Sequence, residues 1–212
     1  MMNIQKLAEP RNFVQHRCQT NADFDNLPAA AKQELRDNLI REQGGLCCYC
    51  MSRISAEKSR IEHWQSQKDF HEKQLDYGNL LASCHGNKGR RREEQRCDVH
   101  KGDSAILYNP ADQTHNVASK LRYLRDGTIK STDPTFDAQL NDVLNLNLAL
   151  LRDNRKRTVN GVFRVLRKLA GSVTHSYLDK KINEWKSQDE DGFLKEFCGV
   201  AIYFLEKRRQ RV

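Results

Sequence analysis

Residues 47–64 read CCYCMSRISAEKSRIEHW, and residues 77–103 read YGNLLASCHGNKGRRREEQRCDVHKGD. Between Cys47 and Asp103, cysteines, histidines, glycines and charges crowd a stretch too polar to hold itself together by burying apolar surface. Cys47 and Cys50 form a C-x-x-C pair, while Cys84 and Cys97 flank a basic loop. Structural zinc sites commonly draw four thiolate or imidazole ligands as two pairs, and zinc binding contributes on the order of 10 kcal/mol to small modules that need such a staple. The spacing therefore predicts a structural zinc on Cys47, Cys50, Cys84 and Cys97. The plainer reading is that Cys84 and Cys97 are unrelated buried thiols. Cys48 lies inside the C-x-x-C pair, cannot easily share a tetrahedron with both neighbours, and reads as a bystander. Cys18 and Cys198 stand alone and read as packed or free.

Between the cysteine pairs lies Ile61-Glu62-His63-Trp64, followed by Asn79 and then by Cys97-Asp98-Val99-His100-Lys101-Gly102-Asp103. A histidine beside a carboxylate, framed by two halves of a metal knuckle, suits metal-assisted hydrolysis of a phosphodiester. Water attacking phosphorus must lose a proton, and imidazole takes it near neutral pH. A hard divalent cation on oxygen ligands polarises the phosphate and neutralises the leaving oxygen. These roles assign His63 as general base and Glu62 as a ligand of a catalytic magnesium or manganese, with a second ligand expected from the helix after Cys97. Asn79 is expected to tie the intervening loop to the backbone near His63. Neighbours on a strand face opposite sides, so a distortion at the strand end is needed to bring Glu62 and His63 together. The bland alternative is a zinc ribbon that binds nucleic acid without cutting it.

Outside this centre the pattern is mostly helical. Leu27, Leu35, Leu39 and Leu46 fall at spacings that can share a helix face, with Pro28 near the first turn and Gly44-Gly45 as the stop. Arg53-Ile54-Ser55 and Ser59-Arg60-Ile61 read as a small hairpin joined by Ala56-Glu57-Lys58. Asp126-Gly127 predicts a second hairpin over 121–129. Beyond Pro134, Leu140, Leu144, Leu148 and Leu151 make one helical stripe, and Val159, Phe163, Leu166 and Leu169 a second. Segments 177–185 and 193–205 complete a bundle. The expected fold is α+β: an N-terminal helical segment (1–45), a zinc-stabilised module with the second hairpin (46–132) and a C-terminal helical region (133–212).

The series C-C-Y-C, I-E-H-W, Y-G-N-L-L-A-S-C and C-D-V-H-K-G-D resembles the HNH (ββα-metal) endonucleases, over roughly residues 41–103. Within them it most resembles the PtuB-like subgroup, the nuclease partners of an ATPase in Septu-type and certain retron-linked bacterial anti-phage systems. The N-terminal helix leading into R-E-Q-G-G-L-C and the L-N-L-N segment, Leu144 to Asn147, also look like that subgroup. The resemblance implies His63 as base, Glu62 as metal ligand in a place often held by Asp, and Asn79 as the middle Asn. HNH proteins commonly carry His or Asn after the last zinc cysteine, then Lys-Gly. Here Asp98 follows Cys97 with Lys101-Gly102 in register, but Cys84-His85-Gly86-Asn87-Lys88-Gly89 matches the same pattern, so His85 competes with Asp98. Asp98 is preferred because Asn79 lies only a few residues before Cys84. The subgroup likeness further implies a PtuA-like ATPase partner, with a retron reverse transcriptase and its non-coding RNA or DNA as further company.

Composition agrees with a nucleic-acid partner. The 212 residues carry a formal charge of +8, and 30% are charged. Such an excess attracts polyanions, and neutralised phosphates release counterions. Lys88, Arg90, Arg91, Arg92, Arg96 and Lys101 crowd beside the expected site and read as phosphate contacts, which hold a backbone without reading sequence. A second basic cluster, Arg152, Arg155, Lys156 and Arg157, faces nucleic acid or an acidic partner. No apolar run approaches the ~20 residues that cross a bilayer, and the first ten residues lack a signal peptide's apolar stretch; a cytoplasmic protein is expected. No P-loop motif occurs, so any ATP control must come from another chain. Two rivals stand beside the nuclease reading: a toxin-like ribonuclease acting on tRNA or structured RNA, and a non-catalytic zinc-ribbon adaptor.

Overall fold

A computed structural model describes residues 1–168 and 173–212. The chain enters through an extended segment and a short helix α1 (Arg11–Arg17), then α2 (Ala29–Glu42). Pro28 stands at the N-cap of α2 with φ −54°, the angle its ring imposes and a helix start tolerates. Leu35 and Leu39 are fully buried on this helix, whereas Leu27 and Leu46 are buried just outside its ends. Gly44 and Gly45 follow at φ +59° and +69°, the left-handed geometry that stops a helix. At Gly45 a Cβ would also meet the Phe193 ring at 2.4 Å, so two constraints converge there.

The first hairpin differs from the sequence expectation. Arg53 forms only an isolated bridge with Leu46, and Ala56–Lys58 is a 3₁₀ turn. Strand β1 (Ser59–His63) instead pairs antiparallel with β2 (Leu80–Cys84), Ser59 opposite Cys84 and His63 opposite Leu80. The physical reason is competition for backbone groups. Cys47 N donates to Ser52 O at 2.9 Å and Ile54 N to Gly45 O at 2.9 Å, so the 46–54 backbone closes the C-x-x-C turn. The wholly buried β2 meanwhile offers β1 an apolar partner. Helix α3 (Cys97–Lys101) follows and packs on β2.

After a short helix α4 (Val117–Lys120), β3 (Leu121–Tyr123) and β4 (Ile129–Ser131) form the expected second hairpin, with Tyr123 opposite Ile129. Gly127 turns it at φ +86°. The first C-terminal stripe is not one helix. Helix α5 (Pro134–Asp142) ends before Leu144, and α6 (Ala149–Arg167) begins after Leu148. Asn145 at φ +48° breaks the run, and the reason is visible in its partners: Asn145 Nδ2 donates to the Glu93 and Gln95 carbonyls, while Asn147 bonds both the N–H and the carbonyl of Ile129. Leu144 and Leu146 point inward and are fully buried. The L-N-L-N segment thus pins the basic loop on one side and β4 on the other, work that a continuous helix could not do. Helix α7 (His175–Lys186) packs on α8 (Cys198–Arg209), which also packs on α6. In the second stripe Val159 is buried, Phe163 and Leu166 are half-buried, and Leu169 lies outside the described residues. Among the described residues the result is a mixed α and β architecture with two small sheets. Among the described residues no helix is long and apolar enough to cross a membrane.

Candidate active site and cysteine cluster

Cys47, Cys50, Cys84 and Cys97 converge, all buried, with their sulfurs within 4.8 Å of one another. Cys50 Sγ and Cys84 Sγ are 3.9 Å apart, close to the ~3.8 Å edge of a tetrahedron with ~2.3 Å zinc–sulfur bonds. Local backbone builds this. The Leu46–Arg53 bridge closes the turn that presents Cys47 and Cys50, β2 delivers Cys84, and Cys97 opens α3 at φ +55° with its N–H on Leu144 O. Cys84 N donates to Cys47 Sγ at 3.3 Å, a bond that favours thiolate. The electrostatics ask for a cation. Burial alone would raise Cys47, but thiol donors from Cys48, Cys50, Cys84 and Cys97 hold it well below its ordinary value. Burial and the Cys47, Cys50 and Cys84 sulfurs push Cys97 well above. Four thiolates cannot coexist here without a positive ion, and a d¹⁰ divalent ion that prefers sulfur fits the donor set. Cys48 keeps a proton because of burial and its contact with Cys47.

Beside the cluster, Arg60, Glu62, His63, Lys88, Asp98 and Asp103 line a polar cleft of about 300 Å³. Glu62 is 3% exposed. Its Oε1 accepts from the Tyr49 hydroxyl at 2.7 Å and lies 2.9 Å from Lys101 Nζ. Burial first, and then the Asp98 carboxylate, push Glu62 well above the usual carboxylate range. Asp98 Oδ2 is buried without an aligned hydrogen-bond donor, although Arg60 Nε lies 2.7 Å away. A hard divalent cation beside these two carboxylates would offset the burial and like-charge repulsion that raise Glu62. The Arg60 side chain in that pair is partly exposed.

His63 is the last residue of β1, and its Nε2–H donates to the Gln74 carbonyl at 3.0 Å. That bond sets the tautomer and leaves the Nδ1 lone pair to act as a base. Burial, only partly opposed by the Gln74 bond, pulls its pKa down to about 4, so the ring is neutral at pH 7. The ring packs edge-on against Phe24 at 4.5 Å, and Gln74 in turn accepts from Phe24 N–H at 3.0 Å. Lys101 touches both residues: its ammonium contacts the Glu62 carboxylate and donates to the His63 carbonyl at 3.0 Å, while both side chains line the cleft. Asn79 closes the loop that follows β1. Its Oδ1 accepts from Gln65 N–H at 2.7 Å, its Nδ2 donates to the Gln65 and Lys73 carbonyls, and its own carbonyl accepts from Trp64 N–H. The 65–79 loop is thereby closed directly behind His63.

Of the two residues competing for the third position, Asp98 lines the cleft, whereas His85 is exposed and lies outside its lining. Lys88 lines the cleft; Arg90, Arg91 and Arg92 are exposed on the adjoining loop, with Arg91 paired to Glu93 and Glu94. Arg96 is half-buried and braces Asn87 at 2.8 Å. Lys101 requires a correction. The sequence placed it among phosphate contacts, yet its side chain is 1% exposed and holds Glu62 and His63 from within; it follows Asp98 by three positions on α3, so one helix face brings both to the same carboxylate. Arg155, too, is buried rather than displayed to a partner. Tyr49, Arg60 and Gln74 were missed. Alternation along β1 puts Arg60 on the Glu62 side and could have suggested it; no local signal marks the other two.

No protein-family model matches the chain. The chain is 24% identical over 143 residues to the protein named "Retron Vc95 putative HNH endonuclease" from Vibrio cholerae serotype O1 biovar El Tor, a match covering 64% of this chain and 68% of the relative. This distant likeness and a four-cysteine cluster beside a carboxylate–histidine cleft both support the HNH family and a nuclease activity in general.

Proposed function

We propose that the chain is a metal-dependent HNH endonuclease that hydrolyses nucleic-acid phosphodiester bonds, acting as the nuclease effector of a bacterial anti-phage system. The observation that carries this reading is the convergence of Glu62, His63 and Asp98 on one polar cleft rimmed by Lys88, beside a four-cysteine cluster. A divalent cation held by Glu62 and Asp98 would supply neutralisation of charge on the scissile phosphate and the leaving oxygen. His63, neutral at pH 7 and oriented by Gln74, takes the proton of the attacking water. Lys88, with Arg90 and Arg92 on the exposed loop, holds the backbone without reading sequence. The retron setting of the relative supports the defence role; the ATPase partner rests on the PtuB-like resemblance.

The test compares wild type with His63→Ala, zinc content measured in each, on duplex DNA, single strands and tRNA with magnesium or manganese, with a neighbouring ATPase added where one is encoded. A variant that keeps zinc and loses cleavage about 10²–10⁴-fold supports the base assignment. Equal cleavage by both proteins would remove His63 from the chemistry. Binding without any cleavage would make the chain an adaptor.

A further inference from the structure

The two halves of the cysteine cluster each send one polar side chain to the same oxygen atom. Tyr49 sits between Cys48 and Cys50, and its hydroxyl donates to Glu62 Oε1 at 2.7 Å. Lys101 lies one helical turn after Cys97, and its ammonium is 2.9 Å from that same Oε1. Tyr49 is fully buried and Glu62 almost so, so neither contact has water as a ready substitute. With two donors, both lone pairs of Oε1 are committed to the protein. Oε2 is the oxygen left over, on a carboxylate whose other polar neighbour is Asp98. Turning the carboxylate would break both contacts at once. A tyrosine needed only to fill the core would require its ring alone.

We infer that Tyr49 is a positioning residue whose hydroxyl holds the Glu62 carboxylate so that Oε2, together with Asp98, is presented to the divalent cation. The inference rests on the proposed reading of Glu62 and Asp98 as cation ligands. It makes the short turn from Cys47 to Cys50 do two jobs: it supplies two sulfurs to the cluster, and it fixes the orientation of a ligand in the neighbouring cleft. Partners that orient a metal ligand in this way typically change metal affinity by roughly 10–100-fold when removed.

The experiment uses the full chain loaded with one zinc and takes Mn²⁺ as the probe, its binding followed by the electron paramagnetic resonance of the free ion. Wild type, Glu62→Gln and Tyr49→Phe are compared, with zinc content and thermal unfolding recorded for each. Tyr49→Phe is expected to keep zinc, bind Mn²⁺ about tenfold more weakly, and regain cleavage when Mn²⁺ is raised in proportion. Unchanged Mn²⁺ affinity in a zinc-loaded Tyr49→Phe protein overturns the inference; so does loss of zinc, which would assign the hydroxyl to the cluster's own stability. If wild type and Glu62→Gln bind Mn²⁺ equally, the ligand assignment itself fails, an outcome separate from the other two.

Discussion

The Lys101 ammonium lies 2.9 Å from Glu62 Oε1, and the same nitrogen donates to the His63 carbonyl at 3.0 Å. One cation from α3 therefore contacts the side chain of one β1 residue and the backbone of the next. Both members of the ion pair are almost wholly buried, so removing one partner leaves the other without compensation. Lys101→Met is expected to cost about 3 kcal/mol of stability in urea unfolding of the zinc-loaded protein. Combining it with Glu62→Gln should recover much of that loss, because the charge left behind is gone. A double-mutant cycle with no coupling between the two positions would contradict the pairing.

The cysteine cluster predicts a sharp contrast among neighbours. Cys47→Ser, Cys50→Ser, Cys84→Ser and Cys97→Ser should each abolish stoichiometric zinc binding and lower the melting temperature. Cys48→Ala should retain zinc, since Cys48 keeps its proton and is not one of the four converging sulfurs. Zinc removal by a chelator should melt the fold around the cluster first, because binding energy on the order of 10 kcal/mol is lost there. Zinc analysis and circular dichroism on the same samples read both effects.

His63 gives a pH dependence with a definite sign. Burial lowers its pKa from 6.5 to about 4, so the unfolded chain binds a proton before the folded one does. Stability is therefore complete above pH 6.5 and is lost progressively as pH falls toward 4, by roughly 3 kcal/mol from this group. Unfolding free energies between pH 4 and pH 7 should flatten over that window in His63→Asn. An identical slope in the variant would show that the ring is not held neutral by burial.

Among the described residues Arg155 is the largest fully buried side chain, with its guanidinium bonded to the carbonyls of Gly127 and Leu146 and to Asn147 Oδ1. Arg155→Met leaves these acceptors without a donor and is expected to cost about 3 kcal/mol. Gly127→Ala should cost at least as much: φ is +86°, and a Cβ would sit 1.9 Å from Arg152 O. Both variants should melt early yet keep zinc, because none of the contacts they lose involves a side chain of the four cysteines. Loss of zinc in either would mean that the hairpin and the cluster unfold as one unit.

The cysteine quartet, the Glu62-His63 pair, the Asn79 brace, the α2 stop at Gly44-Gly45 and the Asp126-Gly127 turn could all be read from local pattern. Each depends on residue chemistry at short spacing: thiol pairs, a base beside an acid, positive φ at glycine. What the pattern could not show is which segment pairs with which. Ser59–His63 finds its strand partner at Leu80–Cys84, some twenty residues on, because the nearer candidate spends its backbone groups closing the knuckle turn. The leucine stripe 140–151 had helical spacing, but asparagines at 145 and 147 were needed to reach the basic loop and β4. Lys101 looked like a surface cation and became a buried counter-ion; Tyr49, unmarked by any local pattern, reached Glu62. Charge and spacing are properties of the chain, whereas desolvation and hydrogen-bond geometry exist only once distant segments have packed together. That is why candidate residues could be named from the sequence, and why the burial and partners of each could not.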